Sequence, residues 1–346
     1  MTPRRGASAV FGDRREANTP PFGDIQLAND QKSGKCGTLS PPIFAARALN
    51  VVLHSAIEQP FALERPQDYR RWRERKLARY PRSAENLVVA VRDPRSLSDS
   101  EAGEIRRVCG AANMAVYASP LAGLADKDLA RRLGERLGLA RLHANPLADE
   151  DGISSLEVTP DKSGRGYIPY SSQRLLWHTD GYYNAPEQRI RAFILHCVQP
   201  AAAGGENRLL DPEIAYILLR DADPRYVAAL SAPDAMTIPA NEEDSAAMRP
   251  VQSGPVFSTD GVALHMRYTA RTRSIEWRPD AATRAAVQFL RQTLDAGSPY
   301  VFTLRLAAGQ GLVCNNVLHD RSAFTDAPGR GRLVYRARYF DRVGPA

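Results

Sequence analysis

His178 and Asp180 place an imidazole and a carboxylate two residues apart in the run Leu175-Leu176-Trp177-His178-Thr179-Asp180-Gly181. Alternate side chains of an extended segment share a face, so both groups can grip one metal ion. A third group of the right type, His319, stands much later, in Leu312-Val313-Cys314-Asn315-Asn316-Val317-Leu318-His319-Asp320-Arg321. Two histidines and one carboxylate on one face of an ion leave the opposite positions open, which is the ligand pattern of non-haem Fe(II) sites. A lone His-x-Asp recurs by chance. The other four histidines, His54, His143, His196 and His265, have no carboxylate two residues away and read as structural, His196 within the apolar run Ile194-Leu195-His196-Cys197. What sets His319 apart is Arg336, 17 residues on in Arg332-Leu333-Val334-Tyr335-Arg336-Ala337-Arg338-Tyr339.

These residues need strands to hold them. From Leu87-Val88-Val89-Ala90-Val91 onward the pattern is mainly β, interrupted by helical insertions. Ser98-x-x-Glu101 reads as a capping box opening a helix toward Cys109, and Asp126 to Leu139 as an amphipathic helix. Asp211-Pro212 begins another helix, and Asp280 to Asp295, stopped by Gly297, is the clearest. Strands separated in this way, with the metal-bearing pair far apart in sequence, suit a mainly β fold with flanking helices around a double-stranded β-helix (jelly roll). Residues 1–42 are polar and rich in Gly, Pro and Ser, which predicts a disordered tail. Residues 43–82 predict a helical extension of two helices, the second introduced by Pro66, and 83–346 the β-helix domain. The long loops at 144–168 and 232–256 are candidate lids.

The order and spacing of several motifs resemble the Fe(II)/2-oxoglutarate dioxygenases of the taurine dioxygenase superfamily, and within it the gamma-butyrobetaine hydroxylase-like branch. The resemblance runs through His178-Thr179-Asp180, Phe193 to Cys197, Gly204-Gly205-Glu206, Leu209-Leu210-Asp211, Asn316-x-x-x-His319-x-Arg321-x-x-Phe324 and Arg332 to Tyr339, colinear over residues 85–342. It implies Fe(II) on His178, Asp180 and His319, 2-oxoglutarate as cosubstrate, O2 as oxidant, and hydroxylation of a substrate with release of succinate and CO2. The far carboxylate of 2-oxoglutarate needs a buried cation, and a guanidinium suits it because it forms two parallel hydrogen bonds and keeps its charge. By the resemblance Arg336 takes that place, with Arg332 supporting or competing; Arg338 shares their parity. Where relatives often carry Ser or Thr beside the cosubstrate, this chain has Asn207, whose amide is able to donate the same bond. The bland counterparts are a solvated edge strand for Arg-x-Arg and a plain turn for Gly-Gly.

For the substrate, the resemblance points to Tyr170, where butyrobetaine-type enzymes carry an aromatic facing a quaternary ammonium. Those enzymes usually have an aromatic directly after the acid and an Asn in the later strand, where this chain has Gly181 and Thr269. Tyr182, Tyr183, Asn184, Arg267 and Tyr268, with Thr269 itself, are the nearest residues to shape the pocket, though any of the tyrosines would serve equally as packing; this suggests a small polar or zwitterionic metabolite. The alternative is a catalytically silent jelly roll that binds a small acid or a metal.

Composition fits one soluble enzyme: 346 residues, 43% hydrophobic, 25% charged. No apolar run approaches membrane length and the N-terminus has no apolar stretch after its Arg pair, so a cytoplasmic setting is expected and a membrane partner is not. Cys36, Cys109, Cys197 and Cys314 are scattered with no C-x-x-C pair, which fits reduced thiols and argues against a zinc site. The net charge of +7 keeps nucleic acid in view, with Trp72 and Tyr80 beside the basic run Arg70 to Arg79 as rings that would interleave with bases. A charge run on a helix is usually a solvated face, so a nucleic-acid partner is not expected. A homo-oligomer is compatible with this sequence.

Overall fold

The computed structural model describes residues 58–144, 149, 151–160, 167–241, 248–261, 263–272 and 275–344. The expected disordered tail, the first of the two N-terminal helices, His54 and Cys36 all lie outside these residues.

Ten strands form two sheets: β1 (Val88–Ala90), β2 (Met114–Ala118), β3 (Ser154–Leu156), β4 (Leu175–His178), β5 (Ala192–Gln199), β6 (Asn207–Leu210), β7 (Phe302–Leu304), β8 (Gln310–Cys314), β9 (Leu318–Arg321) and β10 (Leu333–Tyr339). The larger sheet has the order β1-β2-β8-β5-β10-β3 and the smaller β7-β6-β9-β4. Every pairing within them is antiparallel except β1 with β2. The strands β5, β8 and β10 read as near-continuous apolar runs because they lie centrally in the larger sheet; Phe193, Ile194, Val313, Cys314 and Ala337 are fully buried. This is the jelly-roll core with flanking helices.

The helices are α1 (Pro66–Arg79), α2 (Asp99–Ala112), α3 (Asp128–Arg136), α4 (Pro212–Ala222), α5 (Pro224–Leu230) and α6 (Ala281–Asp295). Their starts follow their caps. The Ser98–Glu101 capping box is complete at α2, and Asp211, Asp223 and Asp280 side chains each accept a backbone N–H at the start of α4, α5 and α6. The second predicted N-terminal helix is α1, which begins at Pro66.

The basic face of α1 is engaged with acids: Arg71 with Asp68 and Glu58, Arg73 with Asp221. Lys76 is buried and pairs with Asp211 and Glu213, both at 2.6 Å. Trp72 packs edge-on against Phe61 at 5.1 Å, and Tyr80 stacks on Phe302 at 5.5 Å. Both rings therefore join the core rather than lying open for bases. Among the described residues no helix is long and apolar enough to cross a membrane, and Cys109, Cys197 and Cys314 are free and buried.

Candidate metal centre and its cavity

β4 ends at His178, and β9 places His319 directly opposite it in register. Their rings are 4.2 Å apart between centroids, and Phe193 packs on the other side of His319 at 4.9 Å. Each imidazole is oriented the same way. His178 Nδ1 lies 2.9 Å from Leu176 O, and His319 Nδ1 2.9 Å from Val317 O, so each Nδ1–H donates to a carbonyl and each Nε2 offers its lone pair to the site. Burial pushes the His319 pKa down to about 3, which keeps that ring neutral.

Asp180 lies just beyond β4, in a segment that Thr179 fastens by donating its backbone N–H to Tyr268 O and accepting from Tyr268 N at its hydroxyl. Asn316 then clamps the Asp180 backbone from both sides, accepting from Asp180 N at 2.8 Å and donating to Asp180 O at 3.0 Å. Asn316 adopts φ 50°, a left-handed conformation that Asn tolerates. Burial opposes the charged form of Asp180, but the Arg336 guanidinium and the neighbouring imidazole outweigh it and hold the carboxyl well below its usual range.

One ligand atom from each of His178, Asp180 and His319 lies within 4.8 Å of the others. Asp180 Oδ2 is buried with no hydrogen-bond partner among the described residues, as a carboxylate oxygen reserved for an ion would be. The residues fit a divalent metal held by two histidines and one carboxylate.

The triad opens into a cavity of about 1090 Å³. Tyr170, Tyr182, Tyr183, Asn184 and Thr269 line it, as do Arg336 and Arg338. Both expected lid loops contribute: Ala144, Tyr167 and Ile168 from one, Asn241, Met248, Arg249, Pro250 and Gln252 from the other; His143 lines the cavity just before the first. The second loop is not structureless, since Met236–Ile238 and Gln252–Gly254 pair as strands; residues 145–148, 150, 161–166 and 242–247 lie outside the description.

Tyr268 is fully buried and does not line the cavity, and Arg267 also departs from the expected pocket role. Its guanidinium donates to Tyr182 O at 2.7 Å, Gln252 O at 2.7 Å and Met236 O at 3.2 Å, so it ties backbone segments together and does not line this cavity. Gly181, where butyrobetaine-type enzymes usually carry an aromatic, has φ 67°, and a Cβ there would meet Ile190 Cγ1 at 2.5 Å. Only glycine fits that turn.

The three arginines of the last strand also separate. Arg336 lies 3.3 Å from Asp180 Oδ1 and faces the cavity. Arg332 lies before β10, across a register shift between Leu333 and Val334, and does not line the cavity. It is buried, its Nη1 has no hydrogen-bond partner, and its guanidinium sits 5.2 Å from the Phe324 ring. Arg321 lies 4.8 Å from the same ring and donates to Ser171 O and Gln173 O. Burial and then Arg332 push the Arg321 pKa down to about 9. Asn207 is the register partner of Arg321 and donates to Gly205 O at 3.4 Å; Arg332 Nε is 4.0 Å from where a Gly205 Cβ would stand. Two buried cations and an amide thus cluster round the Gly204-Gly205 turn.

Sequence reading missed His143, which was read as structural yet lines the cavity and contacts Arg338 and Asn184. Its isolation from any carboxylate left no signal. His196 is core as expected, fully buried with Nδ1 2.8 Å from Tyr117 Oη.

The family model for taurine catabolism dioxygenase TauD, TfdA matches residues 75–338. A uridine-5'-phosphate dioxygenase from Streptomyces sp is 28% identical over 246 residues, covering 64% of this chain and 84% of that protein. Among solved structures, an asparagine oxygenase in complex with Fe(II), 2S,3S-3-hydroxyasparagine and succinate superposes with a TM-score of 0.52 at 17% identity, over 69% of this chain and 78% of that one. The non-heme iron oxygenase OrfP with Fe, succinate and (3S)-hydroxy-L-Arg gives 0.51 at 15% identity, over 70% and 80%. The solved structures share the fold, and the family match spans most of the strands and the whole metal triad: the chain belongs to the taurine catabolism dioxygenase TauD, TfdA family.

Proposed function

We propose that this protein is an Fe(II)- and 2-oxoglutarate-dependent oxygenase that hydroxylates a small polar metabolite, with succinate and CO2 as coproducts. The observation that carries the reading is the convergence of ligand atoms of His178, Asp180 and His319 within 4.8 Å of one another, beside a large cavity that His178 and Asp180 line. Iron(II) held there supplies open coordination positions for the 2-oxo acid and for O2, so that oxidation of the cosubstrate is coupled to oxidation of the substrate. The protein's own part is to fix the two Nε2 atoms and one carboxylate oxygen, keep His319 neutral, and hold the substrate over the metal.

The geometry favours Arg332 over Arg336 as the partner of the cosubstrate's far carboxylate. Arg336 already has an acid, Asp180, whereas Arg332 and Arg321 form a buried positive cluster with no ion-pair contact among the described residues, Asp326 bonding only the Arg332 backbone and acting on its charge from a distance. A buried guanidinium calls for a counter-charge. Asn207, beside them, is placed to add an amide donor. Arg336 is then left to act from the cavity side, on Asp180 and on the substrate.

Support for a butyrobetaine-type substrate rests on Tyr170, which lines the cavity. The Gly181 turn has no room for the aromatic those enzymes carry there. The relatives supply other leads, uridine 5'-phosphate from the curated relative and amino acids from the two solved structures. The test is succinate formation by iron-loaded protein under O2 across such a panel. A compound that accelerates it in wild type, and not in His319→Ala, identifies the substrate; iron-independent turnover would overturn the reading.

A further inference from the structure

Arg336 and Arg338 stand two apart on β10 and share its cavity face, 8% and 3% exposed. The partners of Arg338 are neutral. It donates to the Tyr183 hydroxyl at 3.2 Å and to His143 Nδ1 at 3.2 Å. Burial, then Arg338, lower the His143 pKa to about 4, so the ring is neutral and, accepting at Nδ1, carries its proton on Nε2. That Nε2 lies 3.4 Å from Asn184 Nδ2, itself donating to Gln188 O at 2.8 Å, so an N–H faces an amide donor rather than an acceptor.

Charge balance in the loaded site then says what is missing, an argument that rests on the oxygenase reading above. A divalent ion is balanced by Asp180 and by the metal-side carboxylate of 2-oxoglutarate, and the far carboxylate by Arg332. Asp180, the one described acid near both Arg336 and Arg338, is shared with the ion, so these two leave a surplus of two buried positive charges on the cavity side, while Arg321 sits off the cavity on the Ser171 and Gln173 carbonyls. Among the described residues the other carboxylate lining the cavity, Glu187, is exposed, and Arg174, Arg249 and Arg271 line the same walls. Buried charges without counter-charges are costly, so the substrate brings them.

We infer that the substrate is a phosphate monoester, whose dianionic phosphoryl group is held by Arg336 and Arg338 together with the His143 Nε2–H. A phosphate monoester carries close to two charges at neutral pH and offers three acceptor oxygens, enough for two guanidinium groups and an imidazole donor converging on one group. The cavity, about 1090 Å³ and lined also by Tyr182, Tyr183 and Phe340, has volume for more than the phosphoryl group.

The test is calorimetric titration of the full-length protein, loaded anaerobically with Fe(II) and 2-oxoglutarate, using phenyl phosphate, glycerol 3-phosphate and uridine 5'-monophosphate, each beside its parent alcohol and its monoanionic methyl ester; malate is the dicarboxylate control. At least one monoester should bind about tenfold more tightly than both its alcohol and its methyl ester, and Arg338→Gln should erase that difference while Arg338→Lys retains part of it. Wild-type protein that binds the three forms alike, or prefers malate, overturns the inference even if the visible band of chelated 2-oxoglutarate is normal. Loss of that band in wild type brings down the oxygenase reading and this inference with it.

Discussion

Arg336 Nη1 lies 3.3 Å from Asp180 Oδ1, while the second carboxylate oxygen of Asp180 has no hydrogen-bond partner among the described residues. One acid is thus shared between a cavity cation and the point on which His178 and His319 converge. Removing either histidine leaves too few ligands for a site of this type. We expect His178→Ala and His319→Ala each to lose stoichiometric iron, measured by metal analysis, and to lose succinate formation to background. Turnover retained in either variant would contradict the ligand set.

The division of labour among the arginines gives a second expectation. Arg332→Gln should raise the 2-oxoglutarate KM by about 10- to 100-fold, the value of a charge-assisted pair, with iron content unchanged. Arg336→Gln should leave that KM within a few-fold of wild type. The reverse pattern in steady-state kinetics would restore Arg336 to the cosubstrate.

This division shows where the sequence stops being legible. The triad was readable because His-x-Asp and a distant His need only strand alternation to converge, although β4 ends at His178 and Asp180 owes its place to Thr179 and Asn316. Arg332, Arg336 and Arg338 share parity, and parity fails across the register shift at Leu333 and Val334. A shift of that kind leaves no mark in composition. The helix starts were legible from Ser98, Asp211 and Asp280 because caps act locally. The roles of His143 and Arg267 were not, because both depend on segments distant in sequence.

The turn beside Asn207 should tolerate no side chain. Gly204 has φ 72°, and a Cβ there would lie 2.2 Å from Ala323 O. Gly204→Ala should destabilise by at least about 1–2 kcal/mol from the left-handed backbone alone, read as a lower urea midpoint. An unchanged midpoint would show that the turn relaxes freely.

Lys76 bridges α1 to Asp211 and Glu213 at the start of α4. Lys76→Ala leaves the buried Asp211 without its cation and removes the nearer cation of the partly buried Glu213, and should cost about 3–5 kcal/mol in urea denaturation. A loss under about 1 kcal/mol would mean that the pair is open to solvent.

Stability of the metal-free protein should fall between pH 7 and pH 5. His143, at about 4, and His196 are both lowered first by burial, so the folded chain resists protons that the unfolded chain accepts below about 6.5. Their contribution is full above that value and declines as pH falls toward the folded pKa. Urea midpoints across this range check it, and His143→Gln should flatten the slope; a midpoint that rises on acidification would contradict the sign.

The most direct measurement of the central claim is anaerobic titration of the purified protein with Fe(II) and 2-oxoglutarate, followed in the visible region and then opened to O2 with succinate assayed. We expect a weak charge-transfer band that saturates at one iron per chain, vanishes on exposure to O2, and leaves succinate behind. Full iron loading with no band and no succinate would contradict the oxygenase and leave a jelly roll that binds metal without turning over.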